Sequence, residues 1–267
     1  MAESRRTVPT IVAMKKAGEK IAVLTAYDWM TARLVDEAGV DMILVGDSAA
    51  MVVLGYENTL PVTLDAMILL TGAVARARTN ALVIADMPFM SYQASVADAV
   101  RSAGRAMKEG LAQAVKFEGG RKIVPTVKAV IEAGIPVMGH IGLTPQSVHE
   151  LGGYRVQGRD EEAGRLLLED AVALADAGCF SIVLEGIPWH LGKEITESIR
   201  IPTIGIGAGP HCDGQVLVIH DIVSYTDVRP PKFVRRYGDA RSVVRKAAED
   251  FVRDVKDGAY PTLDESY

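Results

Sequence analysis

Ionisable side chains recur just after short apolar runs along this chain. Asp47 and Ser48 follow DMILVG, and Asp86 closes ALVIAD. Lys116 and Glu118 end AQAVKFE, His140 ends IPVMGH and Glu185 ends CFSIVLE. Any one carboxylate in such a place can be a helix N-cap. The series as a set reads as a site. Four carboxylates gathered together repel one another unless a cation neutralises them. Oxygen ligands without cysteine suit a hard divalent ion such as magnesium. Asp47, Asp86 and Glu118, on adjacent strands, are the candidate ligands. Lys116 can offset the remaining charge or hold an anionic substrate. Glu185 lies further along and is a candidate general base rather than a ligand. His140 can be a ligand, a hydrogen-bond donor to substrate or a core residue, and the donor or structural roles weigh most.

These residues need a frame that brings strand ends together. The predicted strands are Lys20–Tyr27, Asp41–Gly46, Ala81–Asp86, Ala112–Glu118, Ile135–His140, Cys179–Glu185, Pro202–Ile206 and Gln215–Asp221. A further extended segment is expected at Met51–Tyr56. Helical patterns fill the gaps, with Thr63 and Ser95 as expected N-caps. Near-continuous apolar strands alternating with helices imply a parallel sheet buried on both faces. Eight such units favour an α/β fold that is a single (β/α)8 TIM barrel, spanning 1–267, over an open doubly wound sheet. Strand C-termini then converge on one mouth, where such barrels build active sites. An N-terminal arm covers about 1–19. The helix expected at Asp239–Asp257 carries a wide apolar stripe that must pack on the barrel or on another subunit. Irregular stretches are expected at Ile141–Gly158, after the fifth strand, and at Ser224–Gly238.

Composition narrows the function. The chain has 267 residues, a net charge of −5 and 49% hydrophobic residues, enough for a large core and without the basic excess of nucleic-acid binders. No apolar run approaches a membrane span, and residues 1–6 lack a signal-peptide core. Cys179 and Cys212 are the only cysteines, so neither a disulfide framework nor a cysteine metal site is expected, and the expected compartment is the cytoplasm. No H-E-x-x-H, phosphate-loop or G-x-S-x-G motif occurs. Gly205-Ile-Gly-Ala-Gly209 lacks the third glycine of a dinucleotide fingerprint and reads as a tight loop at the mouth.

Longer segments carry a family resemblance. They are Leu24-Thr-Ala-Tyr-Asp28, Leu44-Val-Gly-Asp-Ser48, Thr59-Leu-Pro-Val-Thr63, Ala85-Asp-Met-Pro-Phe89 and Val115-Lys-Phe-Glu-Gly-Gly120. Gly139-His-Ile-Gly-Leu-Thr-Pro-Gln-Ser147, Gly152-Gly-Tyr-Arg-Val-Gln-Gly158 and Gly205–Gly209 continue the series. With these the chain resembles the 3-methyl-2-oxobutanoate hydroxymethyltransferase family over about residues 10–265. The resemblance implies a barrel of the phosphoenolpyruvate mutase/isocitrate lyase superfamily. It also implies transfer of a one-carbon unit from 5,10-methylenetetrahydrofolate to 3-methyl-2-oxobutanoate, giving 2-dehydropantoate for pantothenate biosynthesis. By motif, Asp47, Asp86 and Glu118 serve a magnesium ion. Ser48, Lys116 and the backbone around Asp47 bind the keto acid, His140 lies in the substrate pocket, and Glu185 accepts the proton. A cytoplasmic homodecamer of two pentameric rings is implied as well, with no nucleic-acid or membrane partner. Phe117 and Asp264-Glu-Ser-Tyr267 depart from the family pattern, and Phe117 should point away from the mouth. Rival readings are a metal-dependent 2-keto-acid lyase or aldolase of the same superfamily, and a non-catalytic metabolite-binding barrel. The lyases' Lys-Lys-Cys-Gly-His motif is missing, and the retained acidic set argues against a silent barrel.

Overall fold

The apolar runs become eight parallel strands in a computed structural model that describes residues 5–267 except Arg78 and Val228. They are β1 (Ile21–Thr25), β2 (Met42–Val45), β3 (Leu82–Asp86), β4 (Ala114–Glu118), β5 (Val137–Gly142), β6 (Ser181–Glu185), β7 (Thr203–Ile206) and β8 (Gly214–Leu217). They pair in chain order, and β8 returns to β1 with Val216 opposite Val23. The sheet is therefore a closed barrel without free edges.

The helices are α1 (Val8–Ala17), α2 (Trp29–Glu37), α3 (Ala49–Val52), α4 (Leu64–Ala75), α5 (Val96–Lys108), α6 (Val124–Glu132), α7 (Glu161–Asp176), α8 (Trp189–Ser198), α9 (Ile219–Ile222) and α10 (Ala240–Lys256). Side chains of Asp28, Thr63, Ser95 and Asp160 accept backbone N–H groups at the starts of α2, α4, α5 and α7. Each such cap contributes about 1 kcal/mol and marks where a strand-to-helix loop ends.

The pleat divides the strands' side chains between two cores. Val23, Met42, Leu44, Ile84, Met138, Val183 and Val216 fill the barrel interior, and Ile11 and Met14 of α1 join them. Ala85, Val115, Phe117, Ile182 and Leu184 point outward against Ala99, Ala103, Leu174 and Ile195 of the helices. Phe117 is thus buried away from the mouth, as expected. A fully buried side chain of this size contributes about 1.5–3 kcal/mol.

Two predicted elements are corrected. Met51–Tyr56 is not extended: α3 covers Ala49–Val52, and the N–H groups of Val53 and Leu54 both donate to the Ala49 carbonyl. Ala49 and Ala50 are buried there while Val53 and Leu54 are exposed. A short apolar run has no period that separates strand from helix. The eighth strand stops at Leu217, and Ile219–Ile222 is a helical turn.

The described chain forms two compact units, divided between Val218 and Ile219. The second contains α9 and α10. Helix α10 starts at its Asp239 cap and buries no residue. Val243, Val244, Phe251, Val252 and Val255 along it are all exposed.

Candidate active site

The inward rows of the barrel interior turn polar at the strand ends. Ile84 on β3 is followed two residues later by Asp86, Ala114 on β4 by Lys116 and, two further on, Glu118, Met138 on β5 by His140, and Val183 on β6 by Glu185. Register aligns them: Asp86 stands beside Lys116, and Glu118 beside His140. Asp47 arrives from the loop after β2, where its N–H donates to Asp86 Oδ2 at 3.1 Å. One end of the barrel therefore collects the predicted acidic, basic and imidazole residues.

The cluster is close and buried. Lys116 Nζ lies 2.8 Å from Asp86 Oδ1 and 3.7 Å from Glu118 Oε1. It is also 3.2 Å from His140 Nδ1. The other ring nitrogen of His140 is 3.2 Å from Glu185 Oε2. Asp47, Asp86, Lys116, Glu118 and His140 are all buried. Glu185 is more open, with 16% of its side chain exposed. Ser48 is half-buried, and its hydroxyl is 2.9 Å from that of Tyr27.

Burial and the repulsion of Asp86 and Glu118 push the Asp47 carboxyl well above the usual range. Burial also raises Asp86, although Lys116 opposes it. Burial acts the same way on Glu118, but the Lys116 ammonium and the His140 contact outweigh it and hold that carboxyl low. Burial works against the Lys116 charge, and the surrounding Asp86, Glu118 and Asp47 more than restore it. Burial and Lys116 both disfavour charge on His140, yet its contacts with Glu118 and Glu185 hold the ring up at about 9. One ammonium and one imidazole thus face four carboxylates, an excess of acidic groups in which burial opposes the charging of Asp47 and Asp86.

That excess fits a hard cation. Glu118 Oε1 is buried and accepts no hydrogen bond among the described residues, with Lys116 Nζ at 3.7 Å and His140 Nδ1 at 3.5 Å as its charged neighbours. Among those residues no three His, Cys, Asp or Glu side chains already converge as ligands of one ion. Magnesium commonly takes only one or two carboxylates and fills the rest of its shell with water and substrate oxygens. Asp47, Asp86 and Glu118 offer carboxylate oxygens of the right chemistry, and one or two of them in direct contact, with the remainder acting through water, would suit that mode.

Sequence reasoning missed Gln146, Tyr92 and Tyr27. Gln146 Nε2 donates to Asp47 Oδ2 at 3.0 Å and to the Met87 carbonyl at 2.8 Å. Its backbone N–H donates to Glu118 Oε2 at 3.0 Å. The Tyr92 hydroxyl lies 2.9 Å from Gln146 Oε1 and accepts the Glu118 N–H at 3.1 Å. Both residues are buried. The sequence signals lie with Gln146, which falls in the family-like segment Gly139–Ser147 and in the irregular stretch after the fifth predicted strand, where barrel enzymes keep functional loops.

Glycines shape the rim. Gly142 has φ +95°, and a Cβ there would run into the Glu185 carbonyl oxygen. Gly207 and Gly209 also have positive φ, so the glycine run after β7 is the tight loop predicted.

The family described as ketopantoate hydroxymethyltransferase matches residues 5–263. The chain belongs to this family. It is 56% identical over 263 residues to the 3-methyl-2-oxobutanoate hydroxymethyltransferase of Geobacter metallireducens, covering 98% of each chain. Its identity to the enzyme of the same name from Trichlorobacter lovleyi is 58% over 261 residues, again covering 98% of each. Phosphonopyruvate hydrolase, solved with oxalate and Mg, has the same fold with a TM-score of 0.64 at 14% identity, covering 97% of this chain and 93% of that one. A 2,3-dimethylmalate lyase of the PEP mutase/isocitrate lyase superfamily matches at 0.62 and 17%, covering 97% and 91%. Family membership makes the chain a hydroxymethyltransferase, and the lyase reading is not favoured.

Proposed function

We propose that the barrel mouth binds 3-methyl-2-oxobutanoate beside a divalent cation, with Glu185 removing the C3 proton. The observation that carries this is the contrast among the four carboxylates. Asp47, Asp86 and Glu118 are sealed together around Lys116, whereas Glu185 stands across His140 and is partly open. A carboxylate apart from the charge cluster and reachable from solvent is placed to take a proton. Asp47, Asp86 and Glu118 would hold magnesium, whose chemistry there is to polarise the keto oxygen and make the C3 proton more acidic. Lys116 and His140 face the keto acid's oxygens and oppose charge that builds there as the proton leaves. Ser48 contributes a hydroxyl at the edge of the same pocket.

With its proton on Glu185, C3 forms a bond to the methylene carbon of 5,10-methylenetetrahydrofolate as the bond from that carbon to one folate nitrogen breaks. Water oxygen then replaces the second folate nitrogen on that carbon, and the water proton and the proton held by Glu185 pass to the two nitrogens, so tetrahydrofolate leaves as 2-dehydropantoate forms. The retained acidic set and the relatives' shared name support this reading. We further propose a cytoplasmic homo-oligomer, probed as a decamer of two pentamers, whose partners are otherwise small molecules. The exposed apolar stripe of α10 supports assembly, because contiguous exposed apolar surface marks interaction sites. No helix among the described residues is long and apolar enough to cross a membrane.

The test is exchange in heavy water. Incubated with magnesium and 3-methyl-2-oxobutanoate but no folate, the protein should remove the C3 proton signal in NMR spectra, and a chelator should stop it. Adding 5,10-methylenetetrahydrofolate should then give 2-dehydropantoate. Absence of metal-dependent exchange in folded protein overturns the reading.

A further inference from the structure

We propose that Gln146 is a positioning residue that fixes Asp47 and Glu118 for cation binding, with Tyr92 holding its amide in orientation. This rests on the cation reading of the site. Gln146 reaches across the mouth from the loop after β5. Its side-chain N–H groups go to Asp47, after β2, and to the Met87 carbonyl, after β3. Its backbone N–H goes to Glu118, at the end of β4. One buried residue thereby ties together the ends of four strands.

The choice of atoms matters. Gln146 occupies Oδ2 of Asp47 and Oε2 of Glu118, and Glu118 Oε1 is left without a hydrogen bond. One oxygen of Glu118 is therefore spent on orientation, while the other faces Lys116 Nζ at 3.7 Å and His140 Nδ1 at 3.5 Å without a hydrogen bond. An amide does this without bringing charge. A Lys or Arg in its place would neutralise Asp47 and compete with the cation, and an apolar side chain would leave Asp47 Oδ2 and the Met87 carbonyl unmatched.

The amide's own direction is set from its other end. Gln146 Oε1 meets the Tyr92 hydroxyl at 2.9 Å and Gln93 Nε2 at 3.1 Å. The Tyr92 hydroxyl also lies 3.0 Å from the Glu118 carbonyl, and the Gln93 amide donates to Gln146 Oε1, which leaves the NH2 end for Asp47 and Met87. A single turn at Pro145–Ser147 fixes the backbone of the same residue. Outer-shell groups that orient carboxylate ligands commonly change metal affinity by about 10–100-fold when removed.

The experiment compares wild-type protein with Gln146→Met and Tyr92→Phe. Magnesium affinity is measured by calorimetry without keto acid, bound manganese by its EPR line shape, and folding by thermal denaturation. Gln146→Met should bind magnesium about 10–100-fold more weakly and alter the manganese spectrum, and Tyr92→Phe should fall between. A purely structural role would lower the melting temperature and leave affinity and spectrum unchanged. Wild-type affinity in both variants overturns the proposal. If Gln146→Met does not fold, Gln146→Asn, whose shorter amide cannot span Asp47, Met87 and Tyr92 together, takes its place, because Tyr92→Phe also strips the Glu118 backbone of its hydroxyl partner: weaker binding in Gln146→Asn supports the proposal and unchanged binding overturns it. If wild-type protein binds neither ion, the cation reading falls and this proposal falls with it.

Discussion

The two ends of the barrel carry charge in opposite ways. Where the strands begin, charges meet partners. Arg6 lies 2.9 Å from Asp41, just before β2, and Lys15 lies 2.9 Å from Asp213, just before β8. Asp213 also accepts the Thr203 N–H, and Asp36 accepts those of Asn80 and Ala81. Where the strands finish, Asp47, Asp86, Glu118 and Glu185 share one lysine and one histidine. Matched charges hold strand starts in register. Unmatched buried charge is costly to keep, and a barrel retains it where a cation or a reacting substrate compensates it.

Replacing charges at the two ends sharpens this contrast. The largest effect is expected for Glu185→Gln, where C3 exchange should fall by about 10²–10⁴-fold while keto-acid binding and melting temperature hold. Exchange at the wild-type rate, followed by NMR, would remove Glu185 as the base. Lys116→Met leaves three buried carboxylates without their ammonium and should cost about 3–5 kcal/mol of stability, read from denaturant unfolding. Magnesium should recover part of that loss; if it recovers none, the excess charge is not a cation site. In wild-type protein, magnesium at about 100 times its Kd should add about 2.7 kcal/mol of stability, and Asp86→Asn should gain much less. At the other end, Lys15→Met breaks a partly exposed pair and should cost about 1–3 kcal/mol, with C3 exchange unchanged. A drop in exchange rate there would show that the two ends are coupled.

Much of the site was legible because the strands keep a period of two. Asp86, Lys116, Glu118, His140 and Glu185 each lie an even number of residues beyond an interior apolar residue, so the pleat turns them inward together. Thr63 and Ser95 were legible as caps for a local reason, since a hydroxyl accepts the N–H three residues on. Gln146 and Tyr92 were not legible as site residues. They sit in loops without a period, and their partners lie 54 and 99 positions away along the chain. The turn of α3 was misread because MVVLGY is apolar throughout and carries no pattern that separates strand from helix.

The amino-acid sequence by itself determined the alternation of strand and helix, the closed barrel that alternation favours, and the chemical types gathered at the mouth. Its long motifs determined the family. Only the tertiary structure decided which carboxylates are sealed and which one is open, because burial depends on neighbours from other strands. It also decided that Lys116 sits among the acids and that an uncharged amide orients two of them. Those facts depend on distances between loops far apart in sequence, and no local propensity encodes such distances.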